Sequence, residues 1–398
     1  MALAPWEQSL FDEIDGDFAQ IVNLRHQLHQ HPELSGEERE TSLMLYQQLG
    51  DMGFQVRMGI DGRGVVSDFL WQRPTQVCLR ADIDALQIQD KKDVQYRSQC
   101  DGVMHACGHD AHSAMVYGAL SAIQRVIAIH KLQPIHGIRA IFQPAEETCQ
   151  GAMDMIEVGA LDSVVRIFGV HVDPTRSVGT IGVRSGVLTA SCDEILFDVH
   201  GAGGHAARPH EAVDPIVAAA HLIQVLYKFI PRATDSQDAV VLTIGMIKGG
   251  HNSNVIPDNV KLGGTLRTLN EEVREKTLQH IQRLADGVSH ISGASIRYRT
   301  GMSVPSVSNE DVSTDQLAAS AAMLLQQDCI TQIPRPSMGS EDFAFYLEHV
   351  PGAMFRLGCA SERVGSSALH TPTFDVDDEA LRVGAKILAH AALSSMVE

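Results

Sequence analysis

Val77-Cys78-Leu79-Arg80-Ala81-Asp82-Ile83 is an apolar, partly β-branched run that stops on acidic residues, Asp82 and then Asp84. A short run of this kind bounded by polar residues reads as a buried strand. Downstream, residues 104–112 read Met-His-Ala-Cys-Gly-His-Asp-Ala-His, followed by a segment, Ala111 to Ile129, that is apolar on most sides and reads as a buried helix. Gly137 to Phe142 (GIRAIF) is a second short strand, and it delivers Gln143-Pro144-Ala145-Glu146-Glu147. Val164 to Val172 (VVRIFGVHV) is a third, with His171 at its far end. Upstream, helical periodicity covers Trp6 to His29 and again Glu37 to Met52, with Pro32 breaking the chain between them. Strands alternating with helices, and polar residues gathered where strands stop, predict an α/β domain whose ligands bind beyond the carboxyl ends of its strands.

From Leu188 the texture changes. Ser191 to His200 alternates like a half-exposed strand and leads into Gly201-Ala202-Gly203-Gly204-His205. A helix (Val213 to Phe229), strands near Ala239 to Lys248 and Asn259 to Leu269, a helix (Glu271 to Ala285) and a strand near Ala294 to Thr300 follow. That order, βαββαβ, is the ferredoxin-like pattern of one antiparallel sheet with both helices on one face. We therefore expect a first segment 1–187, an inserted α+β domain 188–301, and a return to the first domain over 302–398. The last segment carries a helix (Thr314 to Gln327), a loop at Gly339 to Asp342, a strand at Ala353 to Leu357, and a closing helix from Asp377 to Leu393.

The chain of 398 residues has 44% hydrophobic and 20% charged residues, ordinary for a globular protein with a sizeable core. A formal net charge of −18, with no local lysine or arginine run, argues against nucleic acid or an anionic membrane as partner. The first residues, MALAPWEQSLFDEIDGDF, are acidic where a secretory signal is basic, and no unbroken apolar run reaches the length of a membrane span. The expectation is a cytoplasmic protein. Its seven cysteines are scattered without framework spacing, as reduced, mostly buried thiols would be.

Cys107 is set apart by its neighbours. Three histidines, a cysteine and an aspartate within residues 105–112 are the donors that a borderline-soft divalent cation prefers, and Cys107 and His109 are spaced to converge on one point. The plainer alternative is a polar turn with Asp110 as helix N-cap. Adding Glu147, His171 and His370, which also fall in loops or strand ends outside the inserted domain, gives five candidate ligands: Cys107, His109, Glu147, His171 and His370. Five exceed what one tetrahedral zinc needs, so two metals sharing a ligand is the better inference. Glu146 and Glu147 are adjacent at a strand end, where successive side chains point opposite ways. One can ligate while the other serves as general base to a water. Detached from a strand, the pair would read as solvated surface acid.

The segments LHQHPELS, LRADIDAL, GVMHACGHDAH, QPAEE, GAGGHAARPH, NVIPD, GTLRT, MGSEDFAF and LHTPTFDVDDEAL, between Leu28 and Leu381, occur in the order seen in the aminoacylase/carboxypeptidase family of di-metal peptidases, family M20. The chain resembles its amidohydrolase branch, which includes hippurate hydrolases, N-acyl-amino-acid aminoacylases and auxin-conjugate hydrolases. The resemblance implies a di-metal, zinc-peptidase-like catalytic domain interrupted by a smaller lid that makes a homodimer. It implies that Cys107, His109, Glu147, His171 and His370 hold two divalent ions (zinc, manganese, nickel or cobalt), that Glu146 is the general base and that Asp82 supports the ligand shell. His205 would polarise the scissile carbonyl across the dimer, and Asn254 and Arg267 would hold a substrate carboxylate; an exposed lid arginine is the plainer reading of Arg267. His105 and His112 read as structural hydrogen-bonders. Gln87 stands where the family often has proline, and Thr148-Cys149-Gln150 where glycines are common; both bear on the pocket. The implied activity is hydrolysis of an N-acyl amino acid or a similar amide. A small-peptide carboxypeptidase or dipeptidase is the near alternative, and a binding protein without turnover the distant one.

Overall fold

The computed structural model describes residues 3–397; the first two positions of the expected 1–187 segment and the last of 302–398 lie outside the described residues. The chain divides into two units. One comprises the residues up to Gly186, Ser308–Arg335 and those from Asp342 onward; the other comprises Val187–Val307 and Pro336–Glu341.

The larger unit is built on an eight-stranded sheet in the order Gln55–Met58, Val65–Phe69, Gly137–Gln143, Gln76–Asp82, Val164–Ser177, Gly352–Ala360, Ile181–Val183, Ile330–Gln332. The four central strands, Gly137–Gln143 to Gly352–Ala360, are mutually parallel. Helices Pro5–Gly16, Phe18–Gln30, His109–His130 and Glu379–Val397 pack into one apolar core with these strands, around Leu79, Phe168, Val170, Phe355 and Leu357. Truncating Leu79, Phe168, Phe355 or Leu357 to alanine is expected to destabilise the unit by about 2–5 kcal/mol. Burial on both sides is why the central strands read as continuous apolar runs instead of alternating ones.

Helix Glu379–Val397 is the one described helix long and apolar enough to cross a membrane, but 67% of that window is buried inside the fold, as suits a core helix. The long helix expected over Trp6 to His29 is two, broken at Asp17, whose φ of −88° and ψ of 0° leave the helical region. The strands Gln55–Met58 and Val65–Phe69 were not anticipated: they are short, antiparallel and at one margin of the sheet.

In the smaller unit Ser191–His200, Pro215–Ala233, Val240–Gly249, Asn259–Thr268, Glu271–Ser292 and Ser295–Val304 follow in the βαββαβ order. The sheet order is Val240–Gly249, Asn259–Thr268, Ser191–His200, Ser295–Val304, with every neighbour antiparallel. Both helices bury an apolar stripe (Leu222, Leu226, Ile281, Ala285) against Phe197, Val199 and Leu262. Local chemistry fixes their ends: Asp214 accepts from the amides of Ile216 and Val217, Asn270 from those of Glu272 and Val273, and Gly293 ends the second helix at φ 77°.

Candidate metal centre

The loop 104–108 enters helix His109–His130 through Gly108, whose φ is 90°. A Cβ at Gly108 would lie 2.5 Å from Val172 Cγ2, so a side chain there is excluded twice, by backbone strain and by space. This turn brings the ligand atoms of Cys107 and His109 within 4.8 Å of each other. Asp110 is not the N-cap; it lies inside the first helical turn, fully buried.

The histidine rings are oriented by their inner nitrogens. His109 Nδ1 donates to Asp84, 2.9 Å from its carbonyl oxygen and 3.0 Å from Oδ1. The Nε2 lone pair is then the free end of the ring. It is buried without a hydrogen-bond partner, with Asp82 Oδ2, Glu146 Oε2 and Glu147 Oε1 at 3.8, 3.9 and 4.0 Å. Likewise His171 Nδ1 donates to the Val172 carbonyl at 2.8 Å, which leaves Nε2 facing Cys107 Sγ at 3.5 Å. His370 sits in the left-handed region (φ 60°) on a turn whose amide donates to the Ala106 carbonyl, and its Nε2 is 3.2 Å from Glu147 Oε1. Imidazoles whose far nitrogen is engaged by a carbonyl or carboxylate are set up as metal ligands.

The tip of strand Gly137–Gln143 carries the glutamate pair on a strained turn, with Ala145 at φ 52°. Such a conformation costs about 1–3 kcal/mol and persists only when its surroundings hold it. Two buried carboxylates do so: Glu38 Oε1 accepts from the Ala145 amide at 2.7 Å, and Asp84 Oδ2 from the Glu147 amide at 3.0 Å.

Ligand atoms of Cys107, His109 and His171 lie within 4.8 Å of one another, as do those of Cys107, Glu147 and His370, and those of His109, Glu146 and Glu147. All five candidate ligands and Glu146 thus converge. Cys107 is common to the first two sets, the arrangement two neighbouring ions with a shared ligand would use. One thiolate, three imidazoles and a carboxylate are a donor set for first-row divalent ions, and the unpartnered His109 Nε2 is the buried polar atom such an ion would satisfy. Electrostatics agree. Hydrogen bonding to Cys107 and then to Glu147 raises the His370 imidazole to about 10. For His109 burial opposes the cation, but Asp82, Cys107 and Asp84 outweigh it and the pKa is raised. Negative charge therefore predominates around His109 and His370.

Asp82 lies beneath these groups. Its Oδ1 accepts from His112 Nδ1 at 2.6 Å and its Oδ2 from Arg80 Nη1 at 2.6 Å. Burial disfavours the Asp82 carboxylate, yet His109, His112 and Arg80 hold its pKa well below the usual range. His112 is engaged at both nitrogens, because Nε2 accepts from the Val172 amide at 3.0 Å, and His105 Nδ1 donates to the Asp84 carbonyl at 3.1 Å.

Several supports had no role assigned from sequence. Arg25 joins Asp110, Asp375 and Asp378 at 3.1, 2.6 and 2.7 Å, and His29 Nδ1 meets the same Asp110 carboxylate at 2.8 Å. Arg80 and Gln143 both reach Asp342, at 2.9 and 2.8 Å. Asp342 lies in MGSEDFAF and His29 in LHQHPELS, so the motifs pointed to them; Glu38 and Arg25 stand just outside any motif.

His205, Asn254 and Arg267 belong to the smaller unit. His205 is exposed; its Nδ1 accepts from the Ala207 amide at 3.0 Å, which makes Nε2 the protonated, outward nitrogen. His205 pairs with Val255 across a two-residue ladder, so exposed Asn254 is beside it, and the Asn254 carbonyl accepts from the Ala206 amide. Arg267 is half-buried in another strand and donates to the Met338 carbonyl at 2.9 Å.

Comparison with known proteins agrees with this geometry. The sequence profile described as Peptidase family M20/M25/M40 matches residues 78–394. An N-acetyl-L-cysteine deacetylase of Bacillus subtilis is 37% identical over 366 residues, covering 91% of this chain and 85% of that protein. Thermostable carboxypeptidase 2 of Saccharolobus solfataricus is 34% identical over 384 residues, covering 94% of each. Among solved structures the Bacillus subtilis YxeP protein, described as a dinuclear metal binding peptidase from the M20 family, superposes with a TM-score of 0.81 at 32% identity, covering 96% of this chain and 99% of that one. A profile match over most of the chain, on a fold that gathers two interlocking sets of metal donors at its strand ends, makes this protein a hydrolase of peptidase family M20.

Proposed function

We propose that the protein is a metal-dependent amidohydrolase that cleaves the amide of N-acyl amino acids or similar small conjugates, releasing a carboxylate and an amine. The observation that carries this reading is the convergence of Cys107, His109, Glu147, His171 and His370 with a buried sixth group, Glu146, at the ends of the central strands. A pair of divalent ions held by those five residues (zinc, manganese, nickel or cobalt) would polarise the amide carbonyl and bring a water's pKa toward neutrality. Glu146 would take that water's proton and deliver it to the leaving nitrogen, and its carboxylate 3.9 Å from His109 Nε2 supports that role. A binding protein would have no use for such a base.

His205 is proposed as the donor to the oxyanion, through the Nε2–H that its Ala207 contact turns outward. Asp82 is proposed to hold the ligand shell in place, and Asn254 and Arg267 to receive a substrate carboxylate. The smaller unit would then act as lid and as the surface of a homodimer. Ile216, Val217, Val241 and Ile247, exposed on its first helix and on the edge strand Val240–Gly249, support that role. We place the enzyme in a reducing cytoplasm, consistent with seven free cysteines.

The decisive experiment follows amine release from N-acetyl, N-benzoyl and indole-acetyl amino acids and from dipeptides, using chelator-stripped protein with and without Mn²⁺, Zn²⁺, Co²⁺ or Ni²⁺. Metal-dependent release from one acyl class is expected; no release from any member by metal-loaded protein would overturn the reading. A small-peptide carboxypeptidase is the second reading, favoured by the carboxypeptidase among the relatives, and release from dipeptides alone would select it.

A further inference from the structure

We infer that Arg356 reads the carboxylate of the substrate. This rests on the amide-hydrolase reading of the neighbouring site, and deepens it. The parallel strands Gly137–Gln143, Gln76–Asp82 and Val164–Ser177 bring Glu146 and Glu147, Asp82 and His171 to one edge of the sheet. The next strand over is Gly352–Ala360, and in its register Arg356 stands directly beside His171.

Alternation settles which way the arginine faces. Phe355 and Leu357 are in the helix-covered core, as are Val170 and Val172, so Arg356 and His171 share the opposite face.

On its other side Arg356 is in register with Gly182, where a Cβ would meet the Arg176 guanidinium at 2.8 Å. A second guanidinium therefore overlies that glycine, but Arg176 is already committed, to Asp173 Oδ2 at 3.1 Å and to Thr331 Oγ1 at 2.6 Å. The Arg356 side chain, half-buried, has no hydrogen bond or ion pair with any described residue. A partly desolvated guanidinium with no counter-ion is unfavourable until an anion arrives, and its planar fork matches a carboxylate in two-point contact. Arg267, the receiver proposed above with Asn254, differs in that its guanidinium already donates to the Met338 carbonyl, so the two arginines are rival readers of the carboxylate and the geometry favours Arg356. The chemistry selected is an amide substrate bearing a free carboxylate near the scissile bond.

The test pairs each N-acyl amino acid of the panel with its carboxamide, on metal-loaded wild type, Arg356→Met, Arg356→Lys and Arg267→Met. It reads kcat and KM where cleavage occurs and Kd by calorimetry in every case. Wild type should favour the carboxylate member by about 10- to 100-fold, the range expected for a charged hydrogen-bonding partner. Arg356→Met should lose that preference through KM or Kd, leaving the carboxamides within about twofold, and Arg356→Lys should recover part of it. A preference unchanged in Arg356→Met, lost only in Arg267→Met, or missing from wild type overturns the inference. If Arg356→Met does not fold by circular dichroism, Arg356→Lys and Arg356→Gln decide by the same ratio. Carboxylate binding that depends on Arg356 without any cleavage would keep this inference while the hydrolase reading falls; cleavage with a preference indifferent to Arg356 would do the reverse.

Discussion

In the larger unit His109 and His112 are buried and held through their ring nitrogens, His109 by Asp84 and His112 by Asp82 and the Val172 amide. In the smaller unit His205 stands exposed, and only its Nδ1 is engaged. On the proposed roles the same side chain is used in two ways. A group that must hold an ion tolerates little positional error, so its far nitrogen is fixed by carboxylates that are themselves fixed, as Asp82 is by Arg80. A group that donates to something arriving from outside needs one correct tautomer and open space. Buried histidines are thus coupled to the stability of their unit, whereas the exposed one is not.

That contrast is broken or sharpened by experiments of decreasing effect. Stripping metal with a chelator should abolish turnover, and readdition of a first-row divalent ion should restore it; activity surviving with no metal by elemental analysis would remove the larger unit's special status. Glu146→Gln should lower kcat by about 10³-fold with metal content unchanged, and a variant keeping a tenth of the activity would show that another group takes the proton. His205→Ala should lower kcat by about 10²-fold. Because the residue is exposed, its melting temperature and metal content should match wild type, and a clear fall in either would erase the distinction between the units. Asp84→Asn should weaken metal binding about 10- to 100-fold, read by titration against a chromophoric chelator.

The smallest effect is a pH dependence. Burial pushes the Glu38 carboxyl up to about 7 from its ordinary 4.5, although the amides of Gly36 and Ala145 oppose the shift. The fold therefore holds a proton that the unfolded chain has released, and stability present below about 4.5 is lost as pH rises through 7. Glu38→Gln should cancel that loss, gaining on wild type between pH 5 and 8 by on the order of 2 kcal/mol in urea unfolding. Parallel stability curves would mean that Glu38 is ionised in the fold.

The central strands and the long buried helix were legible because burial on every side leaves a continuous apolar signature, as in Val77–Ile83 and Ala111–Ile129. The break at Asp17 was not, since the periodicity continues across it, nor was Gln55–Met58, too short to show a period. The candidate ligands stood out as unusual residue types at strand ends. Their supports did not: Arg25 meets Asp375 across 350 positions, and Glu38 meets Ala145 across 107, distances over which sequence adjacency says nothing. Arg356 was the least visible, because what marks it is the lack of a partner, a property of three dimensions.

The discontinuity of the larger unit has a consequence for synthesis. Its core includes helix Glu379–Val397, whose Ala385, Leu388 and Ala392 are buried beside elements made more than 200 residues earlier, among them His109–His130. The inserted unit, by contrast, has its complete sheet and both helices in hand by Val304. On the ribosome the insert is therefore able to fold first, while the early strands and His109–His130 wait with part of their apolar surface uncovered until the final helix emerges. During that interval the nascent chain offers a broad sticky surface, so the speed of translation over the last hundred or so codons, and access to a chaperone, should set the yield of folded enzyme more than any property of the finished site.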